Sequence, residues 1–416
     1  MNSYIYILKS NPMNIKTLIR LSVVFLLVVS VASCKDDDDS PQPTPVNQVV
    51  ADTISCERIN TDTTLVDRGG GIDYVFPCRV TVYNKLTIEP GVRIAFKKDA
   101  GLNIRVNDNT QDTGVIHAIG SSSDSIWFQG LNGEKWGNIE IGTQTSANKL
   151  HYCVIEDTRD FGAIITYDGF FYGDIELKYS TIRNNEGYGL YCHFLSSIEG
   201  FEKNTIHSNG MYPMRIGFGS IADLDGQQSS YYNNGSDSGP LDMINVHSDN
   251  LYDRAEIYND FVVQDPGIPF MIRDHVYIMN NATLTVEAGN ELIFDNNEIR
   301  TDGANSSISV EGTPNNPVIF RSIDENHHWD GFLITSDNPN NRIEYTKIID
   351  GGDLALGDHN SGASISLGSS SGRAQLTLNN VEIISSKGCG ISEVGSTTLD
   401  TSNVTFVNNN GSDYCN

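Results

Sequence analysis

The chain has 416 residues, of which 38% are hydrophobic and 38 are glycine, and its 53 acidic and 27 basic residues give a formal net charge of −26. This composition excludes disorder over most of the length and fits a β-protein of many short strands joined by tight turns. So acidic a surface repels phosphate backbones and anionic membranes, which argues against nucleic acid as a partner and against unaided capture of acidic polysaccharides.

Lys9, Lys16 and Arg20 precede an apolar run, Leu21–Ala32, and no acidic residue occurs before Asp36. The run is too short to span a bilayer comfortably, so residues 1–33 read as an export signal, started from either Met1 or Met13. Its end, Val31-Ala-Ser-Cys34, resembles the lipobox of bacterial lipoproteins. That resemblance implies lipidation of Cys34, the one site residue the sequence assigns, and anchoring in the outer membrane. Each buried CH₂ of an acyl chain contributes about 0.8 kcal/mol. Lys35-Asp-Asp-Asp-Asp-Ser40 is similar to the acidic signal that sends some lipoproteins to the cell exterior, although a charge run opening a linker has the same composition. Pro41-Gln-Pro-Thr-Pro45 continues residues 34–50 as an extended tether.

Six cysteines follow Cys34. In an oxidising compartment they permit three disulfides in 15 pairings. Cys56 with Cys78 and Cys389 with Cys415 are the favoured pairs, because their separations of 22 and 26 residues approach the repeat length found below. No Cys-x-x-Cys or clustered Cys/His spacing suggests a metal.

From Leu86 the pattern becomes repetitive. Leu86-Thr-Ile-Glu-Pro-Gly-Val-Arg-Ile-Ala-Phe96 reads as strand, tight turn, strand. Segments starting at Gly114, Gly137, Gly162, Gly189 and Met214 follow at steps of 23, 25, 27 and 25 residues. A second series, Phe128, Ile155, Ile182 and Ile206, keeps steps of 27, 27 and 24. Two series with one period predict a parallel β-solenoid in which like residues stack from turn to turn. Asn and Gly at Asn184-Asn185 and Asn209-Gly210 mark the corners and suggest asparagines bonded between turns.

The pattern then recurs. Leu284-Thr-Val-Glu-Ala-Gly-Asn-Glu-Leu-Ile-Phe294 repeats Leu86–Phe96, and Trp329-Asp-Gly-Phe-Leu-Ile334 repeats Trp136-Gly-Asn-Ile-Glu-Ile141 with its glycine one place later. The expected organisation is therefore two related solenoid units, 51–245 and 246–416. Glu89 and Glu287 are read as corner residues, repeated because the corner is.

Leu86-Thr-Ile-Glu-Pro-Gly91, Trp136-Gly-Asn-Ile139 and Ile182-Arg-Asn-Asn-Glu-Gly-Tyr-Gly189 resemble the right-handed parallel β-helix repeat proteins of the pectin-lyase-like type, especially bacterial surface lipoproteins. The resemblance implies an all-β, right-handed parallel β-helix, and it covers lyases, hydrolases, adhesins and proteins of other roles. Lyases of this type use a basic residue and hydrolases use paired carboxylates. No Lys/Arg cluster falls on consecutive turns. Asp157, Asp160, Asp168 and Asp174 form one group of carboxylates, and His327, His328, Asp330, Asp350, Asp353, Asp358 and His359 form a denser second one. Ordinary solvated turns account for both, so no catalytic, cofactor or metal residue is assigned. Aromatic residues near corners, Phe170-Phe171-Tyr172, Tyr188, Tyr191, Tyr212 and Tyr231-Tyr232, offer rings on which sugars stack. The functional expectation is a lipid-anchored surface protein that binds glycans or other surface material without turnover. A polysaccharide lyase or glycoside hydrolase is the alternative, and a structural spacer the third reading.

Overall fold

The computed structural model describes residues 50–416 except 168, 170, 237–238, 248–252, 304 and 416. The signal, Cys34 and the tether up to residue 49 lie outside the described residues, as do Asp168 and Phe170. The described chain winds into a parallel β-solenoid of about 14 turns, its regular secondary structure nearly all strand.

In the first copy each turn contributes to three ladders. The first ladder runs through Tyr74–Phe76, Arg93–Phe96, Ile126–Gly130, Cys153–Glu156, Thr181–Arg183, Thr205–His207 and Ser230–Tyr232. The second takes Arg79–Val82, Gly101–Ile104, Ile139–Ile141, Gly162–Ile165, Tyr188–Tyr191 and Met214–Ile216. The third takes Thr63–Leu65, Lys85–Ile88, Val115–Ile119, Lys149–His151, Ile175–Lys178 and Ile198–Glu202.

The expected stacks are present. Phe128 pairs with Ile155, Ile155 with Ile182, and Ile182 with Ile206, all fully buried. Each such side chain contributes roughly 1.5–3 kcal/mol before the entropy of ordering is counted. One assignment needs correction. The Gly114 segment belongs to the third ladder and the segments from Gly137 onward to the second. A leading glycine marks a corner, and the three corners of a turn share that preference.

The Leu86–Phe96 element is the corner between the third and first ladders. Leu86, Ile88, Ile94 and Phe96 are buried, Glu89 is exposed, and Gly91 turns the chain at φ 86°. A Cβ on Gly91 would stand 2.9 Å from the Asp67 carboxylate, and one on its repeat, Gly289 (φ 91°), 2.6 Å from that of Asp265. Both the left-handed conformation and the close approach therefore require glycine. Glu287 is exposed like Glu89.

A neighbouring corner carries the asparagine stack. Asp157, Asn184, Ser208 and Asn233 adopt left-handed φ values of 68°, 57°, 55° and 56°. The next residue on each turn then faces inward. Asn185 Nδ2 donates to Asn209 Oδ1 at 2.8 Å, Asn209 Nδ2 to Asn234 Oδ1 at 3.0 Å, and Asn234 Nδ2 to Asp242 Oδ1 at 3.0 Å.

At the junction between copies, Ile244–Val246 pairs with Met214–Ile216 on one side and with Phe270–Ile272 on the other. The second ladder therefore runs through unbroken. Phe270–Ile272 is the repeat of Tyr74–Phe76, a first-ladder strand, so the second copy continues the coil one face out of step with the first. The other two faces lack this continuity. The first ladder ends at Ser230–Tyr232, and on the third a 3₁₀ segment, Phe218–Asp223, stands in place of a strand.

Both favoured disulfides, Cys56–Cys78 and Cys389–Cys415, are formed, joining neighbouring turns near the two ends of the described coil. The permitted third is not. Cys153 and Cys192 are separate buried thiols, and burial raises the pKa of both, that of Cys192 to about 12. They are core packing, unreactive at neutral pH.

Candidate functional site

Of the carboxylates in the first group, Asp157 lies 3.4 Å from Lys135 Nζ, Asp160 accepts from Arg79 at 3.1 Å, and Asp174 is buried and accepts from Ser197 N–H at 2.9 Å. Each has its own partner, and they do not converge. The second group does not close on a single point either, although Asp353 lies near enough to Asp330 to raise its pKa. Exposed His327 bonds Asp324 at 2.8 Å, which raises the histidine pKa and lowers that of the carboxylate. Asp353 pairs with Lys387, and Asp358 accepts from the N–H and hydroxyl of Ser370 at 2.8 and 2.6 Å. His359 is buried, with Nδ1 2.8 Å from Ser392 Oγ and Nε2 3.3 Å from the Gly368 carbonyl. It fastens a loop. Among the described residues, no three His, Cys, Asp or Glu come together as a metal site.

The tryptophan corners are the densest feature common to both copies. Trp136 stacks on Phe96 at 4.1 Å and donates from Nε1 to the Glu156 carbonyl at 2.7 Å. Trp329 stacks on Phe294 at 4.6 Å and donates to the Ile349 carbonyl at 3.0 Å. Beside these matched rings the polar groups differ. In the first copy Val80, Leu102 and Ile139 pair in succession, and two residues ahead of each stand Cys78, Ala100 and Gly137. Arg79 fills the space, donating to Asn138 at 2.7 Å and lying 3.1 Å from both Glu140 and Asp160. In the second copy the paired residues are Val276, Ile299 and Phe332, and those two ahead are Asp274, Asn297 and Asp330. All three are nine-tenths buried or more. Burial pushes the Asp330 carboxyl up to about 7, and Glu298 and Asp353 add to the shift. The repeat of Arg79 is His275, which carries no guanidinium.

Exposed rings gather on the first copy. Phe161, nearly half exposed at 48%, meets Tyr188 edge-on at 4.9 Å and Tyr191 at 5.3 Å. Tyr212 stacks on Tyr188 at 6.0 Å, and the Arg215 guanidinium lies over Tyr191 at 5.3 Å. Tyr188 itself is buried and is the base on which the others rest. Beyond the other end of the same strands, Tyr172 and His193 stack at 4.6 Å and Phe194 follows. From there the surface descends into a groove of about 760 Å³ at the junction, lined by Phe194, Leu195, Phe218, Arg254, Tyr258 and Phe261. Tyr231 is buried, whereas Tyr232 stacks on His207 at 4.6 Å and borders a second, polar groove of about 530 Å³ where the first ladder stops.

Sequence reasoning found the Tyr188–Tyr212 rings but missed Phe161 and the groove, which exists only because two ladders are interrupted. It also passed over Asp274 and Asn297. The signal for that column was present in the displaced glycine of Trp329-Asp-Gly against Trp136-Gly. Comparison with protein families, curated proteins and solved structures finds no match. The surfaces are therefore interpreted from their own geometry.

Proposed function

We propose that this is a lipid-anchored protein of the outer cell surface, a right-handed coil of the pectin-lyase-like type, that binds neutral glycans along its first copy without turning them over. The observation that carries the reading is the row of accessible rings on three successive turns, Phe161, Tyr191 and Tyr212, with Arg215 beside them. Rings at turn spacing offer sugar faces a series of stacking platforms, and an arginine edge supplies hydroxyl acceptors with donors. The junction groove, within the size range of small-ligand sites, extends the row with the exposed ring of Tyr258.

The test is a glycan array followed by calorimetry on neutral oligosaccharides. Phe161→Ala and Tyr191→Ala are each expected to weaken binding at least about fivefold, in line with roughly 1 kcal/mol per stacked ring. Release of unsaturated or reducing sugar ends would replace this reading with a lyase or hydrolase, and absence of both binding and products would leave a spacer. For the anchor, Cys34→Ala should release the protein from membranes. Protease should remove it from intact cells, and protection until the outer membrane is opened would refute exposure at the surface.

A further inference from the structure

The corner beside Trp329 inverts the charge of the corner beside Trp136. In the first copy the protein supplies the cation, and a Cβ on Gly137 would come within 2.6 Å of Arg79 Nη2, so the guanidinium occupies the place where Asp330 projects in the second copy. There the side chains supply oxygens. Asp330 N–H donates to the Asn297 carbonyl at 3.1 Å, which sets the two residues on adjoining turns, and Asn297 Oδ1 and Asp330 Oδ1 are both buried without a hydrogen-bond partner. Glu298, next to Asn297, has its charge answered by Arg300 at 3.5 Å, and Asp353 has its answered by Lys387. Among the described residues no ion pair does this for Asp330, and Lys387, held by Asp353, only partly offsets its charge. A buried carboxylate oxygen left unpaired costs several kcal/mol, on the order of the desolvation of a charged group.

We propose that Asn297 and Asp330, on adjoining turns, hold a calcium ion in the position that the Arg79 guanidinium takes in the first copy. Adjacent strands lie about 4.8 Å apart, and calcium–oxygen distances are about 2.3–2.6 Å. One ion between two turns therefore reaches oxygens on both without moving the backbone. Asp330 supplies negative charge, and the Asn297 carbonyl is a neutral oxygen donor of the kind calcium accepts. Magnesium needs shorter, octahedral contacts and gives up water reluctantly, so a corner this buried disfavours it.

Terbium, a luminescent calcium substitute, tests this on the full-length chain at pH 8, since Trp329 adjoins Asp330 and sensitises a bound ion. The expected results are tryptophan-sensitised emission from one site, displacement by calcium but not by equimolar magnesium, and a melting temperature several degrees higher in calcium than in chelator. Asp330→Asn and Asn297→Leu should each lower affinity at least tenfold, while Asp324→Asn, on the exposed surface, should leave it unchanged. Equal loss in Asp324→Asn, or sensitised emission unaltered by both corner variants, would show diffuse binding to an acidic surface and overturn the proposal. Asp330→Asn is nearly isosteric, and its circular dichroism and chelator-state melting distinguish lost binding from lost folding.

Discussion

The two copies carry the same inner face and opposite outer ones. Outward along the second-copy strands that repeat Ile139–Ile141 and its neighbours stand Leu333, Ser366 and Ser392, paired turn by turn and all buried. The matching first-copy positions are Glu140, Ile165 and Tyr191, all partly exposed. The cause is the length of one corner. From Asp157 to Gly162 the first copy has a short turn, whereas the repeated stretch from Asp350 to Ala363 is eight residues longer and folds back over the strands. Gly357 packs on Leu333, Leu356 is buried, and His359 reaches Ser392. The repeated stretches thus share the stack of Ile, Phe and Trp that makes a coil. One copy keeps an open face with aromatic rings, and the other has a covered face with a polar corner beneath it.

If the copies are equivalent scaffolds, their buried tryptophans should cost the same to remove. Trp136→Ala and Trp329→Ala each delete a fully buried indole, its stack on a phenylalanine and a hydrogen bond to the turn above. Each is expected to cost about 3–5 kcal/mol in denaturant unfolding. A difference of more than about 2 kcal/mol would break the equivalence and show that the charged corner, not the ring, bears the load in one copy.

The corners themselves should respond in opposite senses. In chelator, Asp330→Asn is expected to stabilise the protein by on the order of 2 kcal/mol above pH 7. The folded pKa, about 7, exceeds the unfolded value, so the wild-type side chain is fully tolerated below pH 4 and becomes costly as pH rises through 7. The advantage of asparagine should therefore vanish in acid, and calcium should reverse it. Arg79→Met should do the contrary, destabilising by about 1–3 kcal/mol at neutral pH, because Glu140 and Asp160 lose their cation. Glu140, already raised by burial, then rises further. Urea unfolding of both variants between pH 4 and pH 8 measures the two slopes, and parallel slopes would refute the inversion.

What was legible in the sequence follows from what repeats. Stacked Phe128, Ile155, Ile182 and Ile206 reveal a coil because each turn must bury the same kind of side chain at the same place. Both disulfides follow from the same period. The aromatic surface was legible only in part, since exposure depends on what covers a face: Tyr188 and Tyr191 stand three residues apart on one strand, yet one is buried and the other is not. The grouping of His327 with His359 failed for a related reason. Proximity in sequence places residues on one or two turns, but each of the three corners and faces of a turn points a different way. The second copy's shift by one face left no local mark, because the one ladder that crosses the junction does so through ordinary strand pairs.

The smallest expected effect concerns the cover itself. His359 is held neutral, since burial lowers its pKa, with its two ring nitrogens engaged by Ser392 and the Gly368 carbonyl. A histidine whose folded pKa lies below the unfolded value of about 6.5 contributes fully above that pH and loses its contribution as pH falls through it. The loop 352–361 should therefore exchange its amide hydrogens faster at pH 5 than at pH 7 once intrinsic rates are corrected. The change corresponds to on the order of 1 kcal/mol, the worth of a hydrogen bond or two. His359→Gln should remove the pH dependence while keeping a donor and an acceptor for the same partners. The first-copy corner at 158–161 has no histidine and should show no such step. A step of equal size there would mean that the acid response belongs to the whole coil and not to the cover that distinguishes its second copy.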